Sequence, residues 1–214
     1  MTMKQNDLHP NDLQPNDLKR LSPVRNAIDA ARRASSPLEG RAAAEGLLDV
    51  ALARMDSPIG ELLVAVTPKG LVAIAFDDDH RERVITRLAR EVSPRVMEAA
   101  APTDEARHEL EEYFRGQRHR FELHLDRRLI GPFAGKVLRA TSRVGFGELA
   151  TYGDIAARID RPHAARAVGR ALGSNPIPIV LPCHRIVGAS GSLTGYAGGM
   201  SRKETLLRLE GSLL

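Results

Sequence analysis

The run Asn175-Pro176-Ile177-Pro178-Ile179-Val180-Leu181-Pro182-Cys183-His184-Arg185 holds the only cysteine of a 214-residue chain. Its apolar middle, Ile177 to Leu181, is expected to bury itself as extended chain, delivering Cys183 to its end beside His184 and Arg185. Most lone cysteines are buried and inert. The functional alternative is an activated thiol, because the thiolate is the nucleophile and nearby positive charge stabilises it. In extended chain, adjacent side chains point to opposite faces, so Cys183 and His184 meet only if the chain turns there or a water bridges them. A histidine acting as a base also needs an orienting carboxylate. Glu210, at the end of a helix predicted over Arg202 to Glu210 and closed by Gly211, is the candidate; a solvated helical glutamate is the plain alternative.

Upstream, Tyr152 to Ile159 and His163 to Leu172 read as short helices separated by Arg161-Pro162. Phe133, Val137, Ala140, Thr141 and Val144 recur at helical spacing until Gly145-Phe146-Gly147 breaks the pattern. Three short helices with tight turns fit a helix-turn-helix, although plain helical packing gives the same pattern. Arg127 to Pro132 reads as a linker. Before it, Leu62 to Thr67 and Leu71 to Phe76 form a hairpin about Pro68-Lys69-Gly70. Arg81 to Val92 and Thr103 to Phe114 carry helical faces, with Thr103 as N-cap and Leu110, Tyr113 and Phe114 turned inward. Phe121 to Leu125 alternates like a further strand. No constellation of catalytic side chains is visible in this first unit. At the N-terminus, Asn-Asp-Leu recurs every five residues from Asn6, with Pro10 and Pro15 spaced so as to forbid a regular helix; this reads as a flexible tail. Ala-rich residues 24–48 suggest short helices.

The charge is uneven. The chain carries 31 Lys+Arg against 27 Asp+Glu, and residues 131–214 hold 11 of the former and 5 of the latter, hence +6. A polyanion partner for that part explains the excess, and so does a solvated charged surface. No stretch approaches the ~18 consecutive apolar residues of a membrane span, and the polar N-terminus lacks the apolar core of a secretory signal. The expectation is a soluble, cytoplasmic protein without membrane contact. One cysteine excludes an internal disulfide framework and every multi-cysteine zinc site.

With its flanks Asn175-Pro176, Gly195-Tyr196 and Lys203, the tetrapeptide Pro182-Cys183-His184-Arg185 closely resembles the methylated-DNA–protein-cysteine methyltransferases, the O6-alkylguanine-DNA alkyltransferases. The likeness runs back through Gly147-Glu148, Thr151-Tyr152-Gly153 and Arg166-Ala167-Val168-Gly169, and covers residues 133–211 strongly. It is weaker over 55–125, where Asp56-Ser57-Pro58-Ile59-Gly60 and Tyr113-Phe114-Arg115-Gly116 carry it.

The resemblance implies an α+β fold: a ribonuclease-H-like α/β domain at 49–126, after a tail at 1–48, then a mostly helical, winged helix-turn-helix-like domain at 127–214. It implies irreversible, single-turnover transfer of an alkyl group from guanine O6, and also from O4-methylthymine, to Cys183, without cofactor or metal. His184 would act through a water as the base, Glu210 would orient it, and Tyr152 would donate toward guanine N3. Asn175 would tie the recognition helix to the active-site turn. Arg166 would fill the space left by the flipped nucleotide, with Ala165, Ala167, Gly169 and Thr151 lying against DNA. Pro178, Ile186, Tyr196, Ala197 and Lys203 would form or support the base pocket. The implied partner is double-stranded DNA, bound through its minor groove by a monomer, with the damaged base extruded from the stack.

Two other functions fit parts of the sequence. A protein that only recognises alkylated bases would need no cysteine. A multiple-turnover Cys-His-Glu hydrolase would need an oxyanion hole and would leave Arg166 and the basic excess unexplained.

Overall fold

The computed structural model describes residues 48–213. The expected tail and short helices of residues 1–48 lie outside it, apart from Leu48.

The first half is a four-stranded sheet with helices on both faces. β1 (Val50–Met55), β2 (Leu62–Thr67) and β3 (Gly70–Ala75) pair antiparallel, and β4 (Val96–Glu98) adds parallel to β1, giving the order β3-β2-β1-β4. β1 and β4 were not foreseen in the sequence. Strand alternation explains why both faces are apolar. Leu62, Val64 and Val66 enter one core with Leu110 and Tyr113 of α2 (Asp104–Phe114), whereas Leu63 and Ala65 enter another with Leu88 of α1 (Asp78–Glu91). Asp77 caps α1, accepting from the backbone of His80 at 2.9 Å.

Two local expectations fail for identifiable reasons. A 3-10 turn, Ala101–Thr103, runs directly into α2, which puts Thr103 in a helical conformation. Its hydroxyl donates back to the Ala100 carbonyl at 2.7 Å and caps nothing. Phe121 to Leu125 forms no regular strand. Leu71 exchanges backbone hydrogen bonds with His124 and Asp126, and further along β3 the amide of Ile74 donates to the Pro176 carbonyl instead. The open edge of β3 is therefore shared between two irregular segments, which also protects it.

The second half comprises α3 (Pro132–Thr141), β5 (Ala150–Thr151), α4 (Tyr152–Arg158), α5 (Ala165–Gly173), β6 (Ile186–Val187) and α6 (Met200–Leu209), with β5 and β6 parallel. Thr151 and Asp154 form a capping box at the start of α4. α5 packs on both α3 and α4, the arrangement expected of a helix-turn-helix. Phe133, expected inside, is 39% exposed because it sits in the first turn of α3, before that helix meets its neighbours at Val137.

Val137, Leu138, Ile155, Val168, Ile177, Cys183 and Leu206 belong to the same apolar cluster as Leu62, Val64, Leu110 and Tyr113. The halves thus share one core. No helix among the described residues is long and apolar enough to cross a membrane.

Candidate active site

Residues 175–182 do not run as extended chain. Pro176 and Pro178 lack the N–H groups a strand needs, and Asn175 draws the segment into a turn. Its Oδ1 accepts from the Ile177 amide at 3.0 Å, and its Nδ2 donates to the Leu181 carbonyl at 2.8 Å. The Leu181 amide donates back to the Ile177 carbonyl at 2.9 Å. Ile179 takes a φ of 74°, a left-handed conformation that costs a β-branched residue on the order of 1–3 kcal/mol. The chain leaves this turn at Pro182 and enters a 3-10 turn, Cys183–Arg185, all three residues of which are buried. The turn settles which way the two side chains face.

Cys183 Sγ accepts from Asn175 Nδ2 at 3.2 Å. Burial pushes the thiol above its ordinary pKa, against the opposing pull of the Asn175 hydrogen bond and the Lys203 charge. Burial thus works against the standing thiolate that one of the two sequence readings invoked. Arg185 is not available to stabilise one. Its Nε and Nη2 donate to the two oxygens of Glu210 at 2.8 and 2.9 Å, and its Nη1 donates to the Val144 carbonyl at 2.7 Å.

Glu210 also accepts from His184 Nε2 at 2.9 Å. Burial alone would raise its pKa, but hydrogen bonds from His184, Arg185 and Tyr113 bring it down to about 2. His184 is fully buried and held below its ordinary pKa, chiefly by desolvation. A neutral imidazole that donates from Nε2 to a carboxylate keeps its lone pair on Nδ1. Nδ1 is buried and has no hydrogen-bond partner among the described residues. His184 thus offers an unpartnered acceptor on the ring edge away from Glu210.

Tyr113 is the participant that sequence reasoning missed. Its hydroxyl donates to Glu210 Oε1 at 2.6 Å from the sheet domain, across 97 positions. The Tyr113-Phe114-Arg115-Gly116 motif was the available signal. The sheet domain contributes further supports. Phe76 packs against Tyr196 at 5.8 Å between ring centroids, and a Cβ on Gly198 would lie 2.8 Å from both rings. Arg202 donates to the Gly198 and Ile59 carbonyls, joining the 195–199 loop to the Ser57–Gly60 turn.

The other expected site residues fall around this centre. Lys203 is buried and donates to the Ile186 and Thr194 carbonyls at 2.5 and 3.0 Å, bracing the strand that follows the thiol turn. Tyr152 makes only long contacts with Thr194, at 3.4 and 3.5 Å. Gly169 lies under the Tyr152 ring, its Cβ direction 3.6 Å from it, so it serves the packing of α5 on α4. The Tyr196 hydroxyl is buried without a hydrogen-bond partner among the described residues. Pro178 is buried and Ala197 exposed. Arg166 is exposed on α5 between part-buried Ala165 and Ala167. The Thr151 hydroxyl is committed to its capping box, donating to Asp154 Oδ2 at 2.8 Å.

Residues 51–127 match the ribonuclease-like domain of 6-O-methylguanine DNA methyltransferases, and residues 132–212 match their DNA-binding domain. The chain belongs to this methyltransferase family. It is 44% identical over 156 residues to the methylated-DNA–protein-cysteine methyltransferase of Mycolicibacterium paratuberculosis, covering 73% of this chain and 89% of that one. The Methanosarcina acetivorans relative of the same name is 41% identical over 161 residues, covering 73% and 96%. Among solved structures, Mycobacterium tuberculosis OGT in complex with DNA superposes with a TM-score of 0.65 at 38% identity, covering 76% of this chain and 93% of that one. The sheet domain and the helical domain are thus the two domains of this family.

Proposed function

We propose that this protein repairs DNA by moving the alkyl group of O6-alkylguanine irreversibly onto Cys183, one group per molecule. The observation that carries this reading is the buried Glu210–His184 pair on the turn that presents Cys183, with His184 Nδ1 left as a free acceptor. His184 takes the thiol proton through one water. Cys183 Sγ then attacks the alkyl carbon, the carbon–O6 bond breaks, and its electrons leave with the guanine. Tyr152 donates its proton to N3 of the departing base, and the phenolate so formed recovers, by way of solvent, the proton that His184 took from sulfur, so the proton lost by sulfur ends on guanine. Asn175 holds the thiol in place, Lys203 braces Ile186, and Tyr196, Pro178 and Ala197 wall the base. O4-methylthymine, with the same alkyl–oxygen chemistry, is a secondary substrate.

A thiol cannot reach O6 in line within the stack, so the base must be extruded. Arg166, exposed on α5 and flanked by small alanines, is suited to enter the duplex from the minor groove in its place. A monomer acting on chromosomal DNA in the cytoplasm suffices. The two domains of this reading are residues 49–126 and 127–214.

The test is a mass spectrum of the tryptic peptide Ala171 to Arg185 after incubation with duplex DNA containing O6-methylguanine. One added methylene on Cys183, saturating at one per protein, is the expected result. An unmodified peptide from DNA-bound protein would overturn the transfer in favour of recognition alone, and continued turnover would point to a hydrolase. Arg166→Ala should slow repair in duplex DNA at least tenfold, on the order of 1.4 kcal/mol, while reaction with free O6-benzylguanine persists. Equal losses on both substrates would remove the assigned role.

A further inference from the structure

A cavity of about 730 Å³ opens where residues 119–127 of the sheet domain face the end of α3 and the turn before Cys183. Its lining divides by chemistry. Phe121, Phe146, Leu181 and Pro182 supply an apolar floor, and the His119 ring stacks on Phe146 at 4.0 Å and 18° to form an aromatic shelf. Arg120, Arg127 and Arg143 are exposed at its rim with His124. No Asp or Glu lines it, and the one further cation, Arg185, is neutralised by Glu210.

Several arginines of the sheet domain are ion-paired, and the rim arginines are not. Arg87 is paired with Glu91, Arg95 with Asp49, Arg118 with Glu112 and Arg128 with Asp126. Arg120, Arg127 and Arg143 have no ion pair among the described residues. An ordinary solvated surface mixes signs, as the rest of this domain does; here the carboxylates are missing. Arg143 also lines an adjoining hollow of about 240 Å³ with Lys136, Arg139 and Arg158, where Asp160 is the one carboxylate. The basic track is thus longer than a single phosphate needs. Neither hollow includes Cys183, Tyr152, Tyr196, Ala197 or Arg166.

We propose that this groove holds a single strand of nucleic acid, with bases against the aromatic shelf and apolar floor and phosphates along Arg120, Arg127 and Arg143. Stacking on aromatic rings beside a cationic track is how single strands are held without regard to sequence. A duplex keeps its bases inside the stack and has nothing to place on the floor. An acidic peptide would meet the cations but leave the ring pair uncovered. The site is independent of the alkyl-transfer reading and stands or falls separately from it.

The test uses the full chain and a fluorescein-labelled oligothymidylate, which contains no guanine, followed by fluorescence anisotropy against salt. In the triple variant Arg120→Ala, Arg127→Ala, Arg143→Ala, affinity at low salt should fall at least about tenfold. The log–log salt dependence should become shallower by about 2, three contacts at ~0.7 each. An unchanged rate with free O6-benzylguanine shows that the variant is folded and its chemistry intact. Oligothymidylate binding should survive Arg166→Ala. Three outcomes overturn the proposal: wild-type affinity in the triple variant, loss of binding on Arg166→Ala alone, or competition by oligoglutamate as effective as by unlabelled oligothymidylate.

Discussion

Glu210 accepts from His184, from Arg185 twice and from Tyr113, and these donors do different things when removed. Glu210→Gln leaves the Arg185 guanidinium buried and unpaired. Stability should drop by about 3–5 kcal/mol, with transfer to Cys183 strongly slowed. Tyr113→Phe keeps the charge pair and removes one hydrogen bond to an ionised group, worth about 1.5–3 kcal/mol, and should slow transfer far less. Urea denaturation together with rates on free O6-benzylguanine checks both; equal effects would mean that Tyr113, not the Glu210 charge, holds the centre. In the sequence, Tyr113 was legible only as an inward-facing helix residue, which it is. Its hydroxyl partner was not, because periodicity reports burial and says nothing of a contact 97 positions away. A buried tyrosine must find such a partner, and that rule narrows the question without naming Glu210.

At the scale of elements, the active-site turn was the least legible part. Apolar content predicted burial of Ile177 to Leu181 correctly, but extended geometry wrongly. The two prolines and the Asx-type bonds of Asn175 decide the turn, and hydrophobic pattern carries neither. Asn175→Ala strips the Ile177 amide of its partner in a buried site and removes the donor to Cys183 Sγ, while the Leu181 carbonyl keeps the Cys183 amide. A loss of about 1–3 kcal/mol follows from the one unsatisfied amide, with slower alkylation of Cys183. Thermal denaturation and single-turnover rates check this; wild-type values in both would remove Asn175 from the role of pinning the turn. By contrast, the helices α3 to α6 and the β2–β3 hairpin were readable to within a few residues, because each is bounded by Gly or Pro and the apolar residues of α3 recur at helical spacing.

The whole molecule has a pH dependence set by its buried centre. Glu210 is depressed from 4.5 to about 2 and His184 is held below 6.5. Both groups bind protons more readily unfolded than folded, so stability rises with pH where they titrate. It should be fully present above about pH 6.5, decline as unfolded His184 becomes protonated, and decline further from about pH 4.5 toward 2. The Glu210 part is on the order of 3 kcal/mol. Urea midpoints across that range test it; a midpoint flat from pH 7 to 3 would contradict it. The sequence read as two units joined at Arg127 to Pro132, and their separate motifs were visible. The shared apolar cluster was not, since strand alternation shows that a face is buried without showing what buries it.

That shared cluster makes Cys183 a poor place to store an extra carbon. The sulfur lies among close-packed side chains continuous with Leu62 and Val64 on the far sheet, and it already receives the Asn175 hydrogen bond. A thioether there is overpacked by about 1–3 kcal/mol, and the misfit cannot stay local. The spent protein should melt several degrees lower than the fresh one, about 2–4 °C per kcal/mol for a chain of this size, as differential scanning calorimetry before and after alkylation would register. Equal melting temperatures would mean that the pocket accommodates the carbon without strain. A molecule that works once thereby signs its own discharge, distinguishable from its unused copies by looseness alone.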